Sequence, residues 1–388
     1  MIDRSRAVAE FLELVQIASL SKREGRIAKR LAATLAGLGS SVEVDDAGAR
    51  VGGETGNLLA RVPGSVPDAQ PLLLCAHMDT VVPGENVRPV VDGDIVRTDG
   101  TTVLGGDDKA GIVAILEALR AAREQGVPHG PVEVLFTICE ELGLLGAKHF
   151  DVARLRARRG LVLDCDGVYE LVTQGPAANR VEVVVHGLEA HAGVCPEQGI
   201  SAIKVAAEAI AAMRLGRIDG ETTANLGLIQ GGMAVNIVPN RVSLRGETRS
   251  RSLQKLEAQT EHMRRCFDEA AARHRVSAGG REHVARVETR VERDYERLDL
   301  TGDAPIVRMV DEAARRLGRS LTARATGGGC DANVFNGRGL EVANLGCGMR
   351  EIHTVNEWID LRDMLATAEL LLEVLRINAE RGAAPSPR

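Results

Sequence analysis

The stretch Cys75-Ala-His77-Met-Asp79-Thr80 closes an apolar run at 71–76, and three acidic clusters follow it: Gly105-Gly-Asp107-Asp108-Lys109, Glu140-Glu141 and Asp164. Four apolar runs have strand character, at 56–62, 71–76, 131–139 and 160–164. Between the second and third lies a helical pattern, with Ile112, Ile115, Leu116 and Leu119 on one stripe after Gly111. Strands alternating with helices predict an α/β fold, a mixed, largely parallel sheet sandwiched by helices. Functional groups on such sheets gather at the carboxyl ends of strands. Asp79, Glu140 and Asp164 all stand where a strand pattern stops.

A chain of 388 residues exceeds the usual size of one domain, so two are expected. Hydrophobic residues make up 44%, enough for a large core, but aromatics are only 2%, so packing relies on Leu, Val, Ile and Ala. The formal charge of −6 is mild for this length and gives no reason to expect nucleic acid as partner. No apolar run reaches the roughly 18 residues of a membrane span. The amino terminus leads into an amphipathic segment with Glu10 and Glu13, not a signal-peptide core. Seven scattered cysteines, an odd number, point away from a disulfide framework and toward the cytoplasm.

Along the chain, Val8, Phe11, Leu12 and Val15 predict a leading helix within 4–37. The character changes after Thr173-Gln-Gly-Pro176. Residues 180–187, 225–231 and 241–248 have strand patterns, while 200–213 and 252–275 are helical. This predicts a compact α+β domain at 177–290, inserted into a first domain made of 1–176 and 291–388. The insertion is required if His353 is to join His77. Further on, 305–317 and 360–381 are helical and 340–345 is strand-like, and the tail Gly382-Ala-Ala-Pro-Ser-Pro387 is expected to fray.

Each cluster has an ordinary reading beside the chemical one. His77 and Asp79, two apart on a strand end, face one side, as an imidazole ligand and an orienting carboxylate would; a polar strand end shows the same pair. Asp107 and Asp108 open a helix, where acids favour the dipole, but the glycines around them indicate an unusual backbone path. Glu140 and Glu141 close a buried run and offer two functions in one place, one carboxylate for metal and one for the reacting water. Asp164 has the same strand-end position, with Asp166 as a competitor that spacing does not eliminate. Five histidines, His129, His149, His262, His274 and His283, lie in polar or helix-surface contexts and are expected to be solvated. His191 lies in the glycine-flanked loop Gly187-Leu-Glu-Ala-His191-Ala-Gly193. Imidazole and carboxylates in this pattern predict a two-metal hydrolase.

The segments His77-Met-Asp79-Thr, Gly105-Gly-Asp107-Asp108-Lys109-Ala-Gly111, Glu140-Glu141-Leu-Gly143, Leu163-Asp164, Ala190-His191-Ala-Gly193 and His353-Thr resemble, in order and spacing, the zinc exopeptidase family that includes peptidase T, carboxypeptidase G and succinyl-diaminopimelate desuccinylase. The resemblance covers nearly the whole chain. The loop Gly327-Gly-Gly329-Cys-Asp331-Ala-Asn333 and the ending Glu351-Ile-His353-Thr are most similar to the peptidase T branch.

The resemblance implies two zinc ions per subunit, with cobalt or manganese as substitutes. Asp107 would bridge them, with His77 and Asp164 completing one site and Glu141 and His353 the other. Glu140 would be the catalytic base, Asp79 the carboxylate supporting His77, and the Asp107–Asp108 peptide cis. The inserted domain would be a lid and dimerisation domain. In a homodimer, His191 would reach across the interface to stabilise the partner's oxyanion, a contribution typically of ~3 kcal/mol. Asn236 and Arg249 resemble lid residues that hold polar groups of the substrate; a turn asparagine and a solvated strand-end arginine are the plain alternatives.

The expected activity is hydrolysis of a peptide bond in short peptides, as a tripeptide aminopeptidase. Rival readings are a deacylase of N-acyl amino acids or a glutamate carboxypeptidase on the same scaffold, differing in whether a free or a blocked amine is bound. A non-catalytic metal-retaining protein would have lost the base, but Glu140 is present. Cys75, Cys139 and Cys330 neighbour site residues, where a redox role competes with service as small buried hydrophobes.

Overall fold

The computed structural model describes residues 1–383; residues 384–388, which hold most of the tail expected to fray, lie outside the described residues. The chain divides into two compact units. One comprises Met1–Gln174, Leu298–Thr326 and the described residues from Cys330 onward; the other comprises Gly175–Arg297 with Gly327–Gly329. The second unit extends past residue 290 because Arg286–Tyr295 is one strand paired along its length with Ala177–His186.

The first unit is built on a nine-stranded sheet. Its order is Ser41–Val44, Leu58–Val62, Val132–Thr137, Leu72–His77, Arg159–Val162, Glu341–Leu345, Glu170–Gly175 and Leu298–Asp299, with Thr322–Ala325 also on Glu170–Gly175. The four strands from Val132–Thr137 to Glu341–Leu345 run parallel, so their carboxyl ends share one edge. Leu72–His77 and Val132–Thr137 are buried at every position, as strands covered on both faces must be. Leu72, Leu74 and Ala76 turn to the core shared with Phe11, Ile115 and Leu371, from the helices Arg4–Val15, Gly106–Glu124 and Leu361–Ala383. The fold class is the expected one, mixed α/β with a mixed sheet. No helix among the described residues is long and apolar enough to cross a membrane.

The helical pattern expected within 4–37 is two helices, Arg4–Val15 and Gly25–Gly37. Between them Leu20 bridges to Thr80 and Lys22 takes φ +73°, so tertiary pairing overrides helix periodicity. A separate four-stranded sheet, Met349–Arg350, Trp358–Asp360, Ile95–Thr98 and Pro89–Asp92, holds the loop that carries His353. Its strands are two to four residues long, too short to show a period in sequence.

The second unit is an antiparallel five-stranded sheet in the order Gly216–Arg217, Thr222–Gly231, Arg241–Ser250, Ala177–His186 and Arg286–Tyr295. Val181, Val183 and Val185 alternate onto one face, where they pack with Val205 and Ala209 of Ala202–Ala212 and Phe267 and Ala270 of Leu253–Arg273.

Candidate metal centre

His77 is the last residue of its strand, and its backbone N–H donates to Asp108 Oδ2 at 3.1 Å. The ring Nδ1 lies 2.9 Å from the Asp79 carbonyl oxygen. A carbonyl only accepts, so Nδ1 carries the ring proton and Nε2 turns outward. Nε2 stands 2.9 Å from Asp107 Oδ1 and 4.0 Å from Asp164 Oδ1.

Asp107 opens the helix Gly106–Glu124 with non-helical φ/ψ of −77° and 104°, and the Asp107–Asp108 peptide is cis. The helix reaches the sheet closely at Gly111, where a Cβ would stand 2.4 Å from the Leu163 carbonyl oxygen and from Asp108 Oδ1. Asp107 uses both its oxygens: Oδ1 toward His77, and Oδ2 toward His353 Nε2 at 3.2 Å. The same His353 nitrogen lies 2.9 Å from Glu141 Oε1.

Glu140 and Glu141 sit on a turn just past Val132–Thr137, entered through Cys139 at φ +49°. Two triads of donor atoms result among the described residues, His77–Asp107–Glu141 and His77–Glu140–Asp164, each with its atoms within 4.8 Å of one another. Asp164 and its competitor Asp166 point in different directions. Asp164 faces His77, while Asp166 is exposed and paired with Arg324.

The electrostatics follow from crowding. Burial, then the Asp164 charge, pushes Glu140 well above the usual carboxylate range, and burial, then Asp107, does the same to Asp164. Burial also raises Glu141, against the His353 hydrogen bond. Burial works against Asp107 too, but the His353 and His77 rings hold it well below that range. The Asp107 and Glu141 carboxylates push His353 up to about 10. Burial disfavours charge on His77, yet Asp107 and Asp79 outweigh it and keep the ring well above its ordinary value. Burial thus favours a proton on Glu140, Glu141 and Asp164, while Asp107 and the two rings favour each other's charged forms. A proton between Nε2 and each carboxylate is one source of positive charge here. A divalent cation fits the same place, because imidazole nitrogen and carboxylate oxygen are the donors zinc takes.

Asp79 does more than orient His77. Its Oδ1 accepts the Glu140 N–H at 2.9 Å, its Oδ2 the Glu141 N–H at 3.2 Å, and Ser21 Oγ donates to Oδ2 at 2.6 Å. Glu24 Oε1 accepts the Cys139 N–H at 3.0 Å. Asp331, 1% exposed, accepts the Thr137 hydroxyl at 2.6 Å. The sequence alone assigned no role to Ser21, Glu24 or Asp331; the available signals were a polar Ser-x-x-Glu step at 21–24 and the glycine-rich loop that carries Asp331.

The remaining expected residues belong to the second unit. Ala192 N–H donates to the Asn236 carbonyl at 2.9 Å and His191 bridges to Ile237, so the His191 and Asn236 loops are paired and both side chains are exposed. Arg249, with its side chain 32% exposed, is ion-paired with Glu247 at 2.9 Å. His129, expected in solvent, is 8% exposed with Nδ1 on the Gly130 carbonyl at 2.8 Å, because the 129–131 turn packs inward. Burial raises the Cys139 thiol to about 12 and the Cys75 and Cys330 thiols well above their ordinary value, so these groups stay protonated.

Comparison with known proteins bears on this arrangement. The profile described as "Peptidase family M20/M25/M40" matches residues 73–377. The crystal structure of aminopeptidase PepT from Bacillus cereus ATCC 10987 is similar at TM-score 0.85 and 40% identity, covering 97% of this chain and 99% of that one. A tripeptidase structure from Staphylococcus aureus subsp. aureus mu50 is similar at TM-score 0.89 and 36% identity, over 98% and 100%. The protein YqjE of Bacillus subtilis strain 168 is 41% identical over 381 residues, which is 98% of this chain and all of that one. With this match spanning the histidine and acidic clusters of the first unit, the chain belongs to peptidase family M20/M25/M40 and is a metallopeptidase.

Proposed function

We propose that this protein is a dinuclear zinc aminopeptidase of the peptidase T type, removing the N-terminal residue from tripeptides. The observation that carries the reading is Asp107, whose two oxygens point at two imidazoles, Oδ1 to His77 at 2.9 Å and Oδ2 to His353 at 3.2 Å. That is what a carboxylate shared by two cations requires. His77 and Asp164 would hold one ion with Asp107, and Glu141 and His353 the other. Bound there, two divalent cations would lower the pKa of a shared water and polarise the scissile carbonyl.

Glu140 then accepts the proton of the attacking water and returns it to the leaving amine. Its burial and its fixed backbone N–H, held by Asp79, suit a base that must keep one direction. His191 would donate to the oxyanion of a partner subunit's substrate, and Asn236 and Arg249 would hold polar groups of the peptide. A homodimer is supported by apolar side chains exposed on the second unit, Leu228 and Ile229 at 56% and Met233 at 83%. The odd number of scattered cysteines favours the cytoplasm.

The test is a hydrolysis panel of free-amine tripeptides, dipeptides, N-acetyl amino acids and C-terminal glutamyl substrates, with zinc, cobalt or manganese added. Tripeptide cleavage alone, abolished by chelation, is the expected result. Turnover of blocked substrates in its place would move the protein to the deacylase or carboxypeptidase side.

A further inference from the structure

Glu357 lies four residues beyond His353, at the entry to the strand Trp358–Asp360, and is 2% exposed. Its Oε2 accepts the Leu104 and Gly105 N–H groups at 2.7 and 2.8 Å, and its Oε1 accepts the Asp107 N–H at 2.9 Å. Its own N–H donates to the Thr354 carbonyl at 3.1 Å, closing the turn that directly follows His353. The backbone it grips has little room to be held otherwise: Gly105 takes φ +72°, and a Cβ on Gly106 would stand 3.0 Å from Glu357 Oε1. Three converging N–H groups need an acceptor at both ends of the side chain. A carboxylate offers that, whereas an amide would turn an NH₂ toward one of them.

We infer that Glu357 is a positioning residue of the metal centre, tying the turn that presents Asp107 to the loop that presents His353. The inference rests on the two-cation reading of the site. Without this tie, the 104–107 turn is free to rotate the bridging carboxylate, and its two oxygens lose their alignment with the two imidazoles. Glu357 touches neither substrate nor ion in this role; it acts through Asp107 and His353.

A matched control separates positioning from ordinary structural service. Glu133 is also 2% exposed, and its Oε2 accepts the Arg156 and Ala157 N–H groups at 2.9 Å each, but it lies near the amino end of Val132–Thr137, away from the centre. The full-length protein, stripped with chelator, is titrated with Zn²⁺ as wild type, Glu357→Gln, Glu357→Asp and Glu133→Gln. Thermal melts, kcat and KM on a tripeptide accompany the titrations.

Glu357→Gln is expected to weaken at least one zinc equivalent by roughly 10- to 100-fold and to lower kcat with KM little changed. Glu357→Asp keeps both acceptors and should recover part of the affinity, and it decides the matter if the glutamine variant does not fold. Glu133→Gln should lose melting temperature while binding zinc as wild type does. Tight binding of both equivalents by folded Glu357 variants, or equal loss of zinc in Glu133→Gln, overturns the inference. Wild type that takes up no zinc would instead overturn the two-cation reading beneath it.

Discussion

The Asp79 carboxylate accepts the Glu140 backbone N–H at 2.9 Å, joining the strand end that bears His77 to the turn that bears the proposed base. The Glu141 N–H on its second oxygen, the Ser21 hydroxyl and His77 Nδ1 at 3.5 Å complete the junction. Four polar contacts on one buried carboxylate fix its direction, so this side chain holds the turn firmly. Asp79 thus orients the metal-facing groups through their backbone as much as through the imidazole.

Glu140→Gln should lower kcat by about 10²–10⁴-fold, the usual range for losing a general base. Zinc content, measured on the purified protein, should stay at the wild-type level, because the other carboxylates and both imidazoles remain. Near-normal turnover in this variant would remove Glu140 from the mechanism.

Ser21→Ala removes one donor from Asp79 and leaves an oxygen of that buried carboxylate less satisfied. A loss of about 1.5–3 kcal/mol in denaturant unfolding is expected. A fall in kcat should accompany it without loss of zinc. An unchanged midpoint together with unchanged kcat would mean the hydroxyl is dispensable to the junction.

Asp107→Asn and His353→Ala should differ in stoichiometry. The first disturbs the carboxylate that both imidazoles face and should leave less than one zinc per chain. The second removes one ligand of one proposed ion and should leave about one, held by His77, Asp107 and Asp164 as a three-residue set. Metal analysis after dialysis reads the difference, and equal retention in the two variants would argue against a shared bridge.

His191→Ala should cut turnover by about 10²–10³-fold, as loss of an oxyanion donor does, while zinc binding is unchanged. Mixing this inactive variant with inactive Glu140→Gln and allowing subunit exchange should restore part of the activity if His191 serves the partner's centre. A monomer that is fully active would exclude that role.

Much of the candidate centre was legible because its donors stand at strand ends, and strands announce themselves as short apolar runs. His77, Asp79, Glu140 and Asp164 were found that way. Glu357 and Ser21 were not, because a polar residue that binds backbone amides leaves no periodic trace and is indistinguishable in sequence from a solvated one. The same limit explains His129, whose polar context concealed burial. The leading helix expected within 4–37 is Arg4–Val15, and what the sequence did not show is where it stops before the second helix, Gly25–Gly37. The break between them is set by pairing of Leu20 with Thr80, sixty positions on.

The sequence by itself determined the α/β class and the set of groups available for chemistry, since period and residue type suffice for those. Only the tertiary structure decided what each member of an adjacent acidic pair faces: Asp107 the imidazoles and Asp108 the His77 amide. Neighbouring residues differ only in the direction their side chains leave the backbone. That direction is set by turns such as Cys139 at φ +49°, and by hydrogen bonds from residues 61 and 253 positions away, as between Asp79 and Glu140 and between Leu104 and Glu357. Contacts of such separation form only once the sheet has brought the distant segments to one edge.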